Sequence, residues 1–179
     1  MHFFISLLFT GFLMCTITIR SYKASDLVAV IQLFKEAVTA INIRHYSPEQ
    51  IAVWTEVDPV RWQAKLEAMI VFVAVSAEAS GVGWAEIDSI IVGFADMTRE
   101  GYLDHLYVHK DYQARWVSLH LFKAIEKAAR DLGLTKITTD CSITAKVPAE
   151  RMGFKVMKEQ IVEKKDMQFI NYHMEKKLD

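Results

Sequence analysis

The segment Tyr102-Leu103-Asp104-His105-Leu106-Tyr107-Val108-His109 is strand-like and leads into the polar turn Lys110-Asp111-Tyr112. Gln113-Ala114-Arg115-Trp116-Val117-Ser118 follows and opens a long amphipathic helix. A strand, a loop and a helix start, in that order, build a site for an anion. The N–H groups of a helix's first turn have no partner inside the helix and point outward, and the macrodipole favours negative charge there. The unit therefore points to a phosphate-bearing ligand. Trp116 speaks against that reading, because it sets a bulky side chain where the ligand must approach the backbone.

The pattern extends outward in both directions. The helix is expected over residues 115–132, with Leu121, Ile125, Ala128 and Leu132 on one face and Gly133 as its C-terminal cap. Upstream, Thr16-Ile17-Thr18-Ile19-Arg20 alternates as a first strand should. Ser25-Asp26 can cap a helix carrying Leu27, Val30, Phe34 and Val38. Ser47-Pro48-Glu49-Gln50 has the form of a capping box with proline at the first helical position. Asp58-Pro59 opens a third helix with Trp62, Leu66 and Met69. Residues 70–75 and 90–97 read as strands, and Ser80-Gly81-Val82-Gly83 reads as a hairpin tip between them. Downstream come a buried-type strand at 136–141, a short helix at 149–152 stopped by Gly153, and two strands at 155–163 and 167–175. The charged turn Lys164-Lys165-Asp166 joins those two. This succession is of the α/β class, a mixed sheet with helices on its faces.

At 179 residues the chain is long enough for one domain with a real core, which we assign to residues 15–179. A formal net charge of −1 gives no overall field to attract nucleic acid or an anionic membrane. Cys15 and Cys141 are far apart, which suits free thiols in a reducing, cytoplasmic setting. His2, His45, His105, His109, His120 and His173 form no metal-like spacing, so no metal is expected. Residues 1–14 are an apolar extension, shorter than the roughly 20 residues that span a bilayer. They resemble a signal-peptide core but lack a basic residue before it and a small-x-small cleavage site after it. The expectation is an extension upstream of a start at Met14; a short membrane-surface anchor is the other reading.

With these pieces in place, the chain resembles the GNAT superfamily of acyl-CoA N-acyltransferases over residues 16–176. The resemblance rests on Ile19-Arg20, Ile91-Val92-Gly93-Phe94, Leu106-Tyr107-Val108, Gln113 at the loop, and Arg151-Met152-Gly153-Phe154. It is similar to the YafP-like branch through His45-Tyr46-Ser47-Pro48-Glu49-Gln50-Ile51 with Trp54, Arg61-Trp62, and Ser142-Ile143-Thr144-Ala145-Lys146. The resemblance implies a GNAT fold: a mixed, mostly antiparallel sheet of six to seven strands with about four helices. It implies acetyl-CoA as co-substrate, held by Leu106, Tyr107 and Val108, with its pyrophosphate on the backbone of Gln113, Ala114, Arg115, Trp116, Val117 and Ser118. It also implies direct transfer in a ternary complex to a primary amine of a small molecule or peptide, and a homodimer is common among similar proteins.

Two departures from the family pattern keep a second reading open. The family loop is Gln/Arg-x-x-Gly-x-Gly/Ala, and Trp116 and Ser118 stand at its glycine positions. Losing one charge-assisted hydrogen bond there would cost about 1.5–3 kcal/mol, roughly 10- to 100-fold in affinity. Many members carry a tyrosine four residues before the glycine of the Gly-Phe pair, where it can protonate the departing thiolate; here that residue is Ala149. The alternative is a GNAT-fold binding or regulatory module without efficient catalysis.

Transfer to an amine needs a base, since a lysine-like pKa near 10.4 leaves well under about 1% neutral at pH 7. Asp104 and His105, adjacent on the strand before the loop, are the candidates. His45, Tyr46 and Trp54 are expected to line the acceptor pocket, by their place in similar proteins. Cys141, with no electropositive neighbour in sequence, reads as a structural thiol.

Overall fold

The computed structural model describes residues 16–77 and 89–178. The apolar extension of residues 1–14 and the expected hairpin tip at Ser80-Gly81-Val82-Gly83 lie outside the described residues. Among the described residues, five α-helices and seven strands follow the order β1 (Thr16–Ser21), α1 (Leu27–Ile41), α2 (Pro48–Trp54), α3 (Pro59–Ala68), β2 (Ile70–Ala77), β3 (Ser89–Met97), β4 (Leu103–Val108), α4 (Val117–Asp131), β5 (Lys136–Ser142), α5 (Ile143–Arg151), β6 (Lys155–Lys164) and β7 (Met167–Lys177).

The strands form two antiparallel sheets rather than one continuous mixed sheet. Their orders are β1-β2-β3-β4 and β5-β7-β6. The link between them is parallel: an isolated bridge pairs Tyr102 with Thr138, and the Thr138 N–H donates to the Gly101 carbonyl at 2.9 Å. Past that point β4 and β5 part, and the split is where the site lies.

Each sheet face has its own apolar cover. The amphipathic α4 buries Val117, Leu121, Phe122, Ile125 and Ala129 against one face. On the other, α1 and α3 bring Val30, Phe34, Val38 and Leu66 onto Val73 and Phe94. Gly93 on β3 is the close-approach point beneath α4. A Cβ there would stand 2.9 Å from Leu121 Cδ1 and 3.0 Å from both the Tyr107 carbonyl and Val117 Cγ1.

The expected caps form where the bond is local. The Ser47 hydroxyl accepts from the Gln50 N–H at 3.3 Å, and the Gln50 side chain accepts from the Ser47 N–H at 2.7 Å, completing the capping box. Asp58 accepts from the N–H groups of Val60 and Arg61 at the start of α3. Asp26, by contrast, does not cap α1. Its carboxylate takes the Arg20 guanidinium in a two-pronged pair at 2.7 and 2.9 Å and the Lys23 N–H at 2.8 Å. A bidentate pair with a guanidinium adds charge and geometric fit that a cap to backbone N–H groups lacks. The short helix expected at 149–152 begins at Ile143 instead. Ser142 caps it through the Ala145 N–H at 3.2 Å, and Pro148 sits inside the helix.

Candidate active site

The cleft between β4 and β5 runs from the head of α4 to the end of α2. Leu106 and Val108 line one wall, Thr139 and Cys141 the other, and α5 contributes Thr144 and Ala149. Gln113 and Ser118 mark its loop end and Trp54 its far end. Its walls are strand backbone and small or apolar side chains, a surface suited to an extended chain lying between two strands that do not pair.

The loop at the head of α4 is built without glycine. Residues Lys110–Tyr112 form a 3-10 turn. The Gln113 side-chain amide donates to the Val108 carbonyl at 2.8 Å and to the His109 carbonyl at 3.3 Å, tying the loop to the end of β4. Ala114 and Trp116 both adopt left-handed backbone, at φ 57° and 63°. That conformation is the one glycine takes at little cost and other residues take at about 1–2 kcal/mol. Trp116 therefore keeps a glycine-like backbone and turns its indole outward. The side chain is 71% exposed, does not pack on the sheet, and is not part of the cleft wall. Val117 is buried under the loop, and Arg115 lies over the Tyr112 ring, its guanidinium 4.8 Å from the centroid. The first N–H groups of α4 stay free of side-chain caps at this end.

A bulge in β4 decides where the two base candidates go. Asp96 pairs with His105 and Met97 with Leu103, which leaves Asp104 as the extra, unpaired residue. Asp104 lines the cleft and is ion-paired with Lys65 from α3. His105 does not line the cleft, although its Nδ1 stands 3.8 Å from the Asp104 carboxylate. Its Nδ1 lies 2.7 Å from the fully buried Asp96 carboxylate, which also accepts from the His105 backbone N–H at 3.1 Å. Phe34, Trp62, Phe94 and Tyr107 surround the imidazole, which is 12% exposed. Asp96, Asp104 and His105 bring one donor atom each within 4.8 Å of one another, a spacing a metal ion could use. Those donors are already engaged, Asp96 by His105 and Asp104 by Lys65.

Across the cleft the structure assembles a group that no local pattern announces. His173 on β7 faces Asp140 on β5 as its cross-strand neighbour, with Nδ1 2.6 Å from Oδ1. The His173 side chain remains 39% exposed; of the pair, Asp140 is the member that lines the cleft. The Tyr102 hydroxyl hydrogen-bonds to Asp140 as well, and burial, with the nearby Asp140 and Asp104 charges, pushes its ionisation well above the ordinary phenol range. Tyr107 is pushed up in the same way, chiefly by burial, while the Trp54 indole hydrogen-bonds to it. Cys141 also lines the cleft, but burial raises its thiol to about 11, and its Sγ sits 3.1 Å from Met174 Sδ. A neutral thiol against a thioether is packing chemistry.

The expected acceptor-pocket residues separate. Trp54 lines the cleft. Tyr46 is 6% exposed; its hydroxyl donates to the Ile170 carbonyl at 2.9 Å and accepts from the Ile143 N–H at 3.0 Å, which makes it a tether between β7 and α5. His45 opens instead onto a separate cavity beside Gln50, Gln168 and Ile170. Lys65, Asp96, Asp140 and His173 belong to the neighbourhood of the cleft although nothing in their immediate sequence marks them.

The chain's relatives have the same arrangement of elements. The family model described as an acetyltransferase (GNAT) domain matches residues 42–176. The chain is 37% identical over 161 residues to the uncharacterized N-acetyltransferase YafP of Escherichia coli strain K12, covering 90% of this chain and 96% of that protein. Among solved structures, a GCN5-related N-acetyltransferase from Rhodopseudomonas palustris superimposes with a TM-score of 0.80 at 27% identity, over 91% of this chain and 96% of that one. The PaiA N-acetyltransferase from Thermoplasma acidophilum, solved in complex with coenzyme A, shares the fold with a TM-score of 0.69 at 19% identity, over 91% and 99% of the two chains. The match over three quarters of the sequence and the shared overall fold place this chain in the GNAT acetyltransferase family, to which it belongs.

Proposed function

We propose that this protein transfers an acetyl group from acetyl-CoA to a primary amine of a small molecule or peptide, directly and within a ternary complex. The observation that carries the reading is the continuity of the cleft. It joins uncapped N–H groups at the head of α4 to a gap between parted strands and ends near Asp104 and Asp140. The pyrophosphate fits the loop of Gln113, Ala114, Arg115, Trp116, Val117 and Ser118, because the dipole and free N–H groups favour an anion there. The acyl-bearing arm fits between Leu106, Tyr107 and Val108 and the facing strand.

In the chemical step the free amine attacks the thioester carbonyl carbon, the C–S bond breaks, and the departing thiolate takes up a proton. Two groups near the cleft can accept the amine's proton. Asp104 stands in the wall with Lys65 as its competitor, and the Asp140–His173 pair offers an imidazole held by a carboxylate. His105 fits a supporting role better, since aromatic rings enclose it. With Ala149 in place of the family's tyrosine, Thr144 is the donor the site offers to the leaving sulfur. Its Oγ1 is buried, has no hydrogen-bond partner among the described residues, and belongs to a residue of the cleft wall. We assign the protein to the cytoplasm and require no metal for this chemistry. Among the described residues no helix is long and apolar enough to cross a membrane.

The test has two parts: calorimetric titration of acetyl-CoA into the full chain, and thiol release from acetyl-CoA with a panel of polyamines, amino acids and peptide N-termini. Binding with acetyl transfer to a panel amine is the expected outcome. Absence of acetyl-CoA binding would refute the reading. If Trp116→Gly then restored it, the fold would have kept its shape while its cofactor site closed, as the binding-module alternative requires.

A further inference from the structure

We propose that Trp116 is the platform on which the adenine ring of the acyl-CoA stacks, so that the residue departing most from the family loop adds affinity instead of removing it. This rests on the acetyl-CoA reading above and deepens it. Three observations converge on it. The indole is 71% exposed, and among the described residues it makes no ring contact, hydrogen bond or ion pair. A large aromatic left bare on a loop is a recognised feature of binding surfaces. The residue holds left-handed backbone at φ 63°, a conformation in which any non-glycine side chain adds strain; there the chain supports its largest side chain. Its position is also decisive, since it is the cap residue of α4, immediately before the free N–H groups suited to a pyrophosphate.

The ligand's covalent order supplies the geometry. In coenzyme A the adenosine is attached directly to the pyrophosphate and carries a phosphate on its 3′ oxygen. A pyrophosphate seated on the first N–H groups of α4 leaves the purine on the rim of the site, outside the cleft. The outward-turned indole stands on that rim. His120 and Lys123 are exposed in the first two turns of α4, so two groups able to meet a phosphate lie close behind the cap residue. The ligand recognised on this rim is therefore a purine nucleotide with an extra phosphate. The pantetheine arm contributes nothing to the contact.

The experiment compares full-length wild type, Trp116→Ala, Trp116→Phe and Lys123→Ala by calorimetry. The probes are acetyl-CoA, its 3′-dephospho form, and S-acetyl-4′-phosphopantetheine, which lacks the adenosine. Trp116→Ala keeps the same need for left-handed backbone, so it isolates the loss of the ring. It is expected to weaken acetyl-CoA about 10-fold, in the range of one base stacked on one aromatic, and to leave the phosphopantetheine probe unchanged. Trp116→Phe should recover most of the loss, and Lys123→Ala should weaken acetyl-CoA but not its dephospho form. A component of indole quenching by acetyl-CoA that is present in wild type and missing in Trp116→Phe, beyond what Trp54 in the cleft contributes, would report the same contact. Equal or tighter acetyl-CoA binding by Trp116→Ala overturns the platform while leaving acetyl transfer intact. An equal loss for acetyl-CoA and the phosphopantetheine probe overturns it too, since the damage would then lie in the loop. Failure of wild type to bind any of the three refutes the acetyl-CoA reading itself.

Discussion

Tyr46→Phe removes one oxygen atom and, on the geometry here, two structural hydrogen bonds. The phenol joins the Ile170 carbonyl, at 2.9 Å, to the Ile143 N–H, at 3.0 Å. Ile143 is the first residue of α5, so its N–H has no partner within the helix. A typical buried hydrogen bond contributes about 1 kcal/mol net, and leaving a buried partner unsatisfied costs about 1–3 kcal/mol. The variant should therefore lose about 2–3 kcal/mol, counting both bonds. At the size of this chain that is a fall of roughly 4–12 °C in Tm. Urea unfolding followed by tryptophan fluorescence would measure it, with an unchanged slope showing that only stability moved. Tyr22→Phe is the matched control. Its hydroxyl is buried with no hydrogen-bond partner among the described residues, so deleting it should be neutral or stabilising, within about 0.5 kcal/mol. Equal losses in the two variants would refute the reasoning, because the effect would then come from the ring and not from the bonds. A loss under about 0.5 kcal/mol for Tyr46→Phe would refute it as well.

Other changes test other parts of the molecule. Gly93→Ala should destabilise by about 1–3 kcal/mol in the same urea assay, because its Cβ would meet the Tyr107 carbonyl and two α4 side chains at 2.9–3.0 Å; it should also weaken acetyl-CoA binding by shifting the head of α4. Asp26→Asn should cost about 1.5–3 kcal/mol at pH 7, the worth of hydrogen bonds to a charged group. Hydrogen bonds from Arg20, against an opposing burial effect, hold the Asp26 carboxyl below its ordinary range. Its stabilisation is thus present above an unfolded pKa of about 3.9 and lost as pH falls through the lower folded value. The gap between wild type and variant should close in acid, and a gap constant down to pH 2 would contradict the pairing. The Cys141 thiol, raised by burial to about 11, behaves oppositely. Its contribution is intact below the unfolded value of about 8.5 and is lost as pH rises towards 11. In a Cys15→Ser background, a disulfide reagent at pH 8 should modify the native protein at least about 10-fold more slowly than the urea-unfolded chain. Equal rates would show an accessible thiolate.

The sequence by itself determined whatever depends on neighbours along the chain. The Ser47 and Asp58 caps, the apolar face of α4 and the strand–loop–helix unit were legible because their bonds and periodicities close within a few residues. The same locality explains where structure and expectation differ. Asp26 has the form of a cap, but its partner Arg20 comes from β1, and the helix expected from residue 149 starts earlier because the serine that caps it is Ser142. The tertiary structure alone decided the chemistry of the cleft. Asp96 and His105 meet across nine positions, Asp140 and His173 across 33, and Tyr46 and Ile143 across 97. No periodicity encodes such pairs, because strand register and the parting of β4 from β5 bring them together. Trp116 shows the same division of labour. Its identity is plain in the sequence as an obstruction at a glycine position; only the left-handed backbone reveals that the indole points outward and leaves the cleft open.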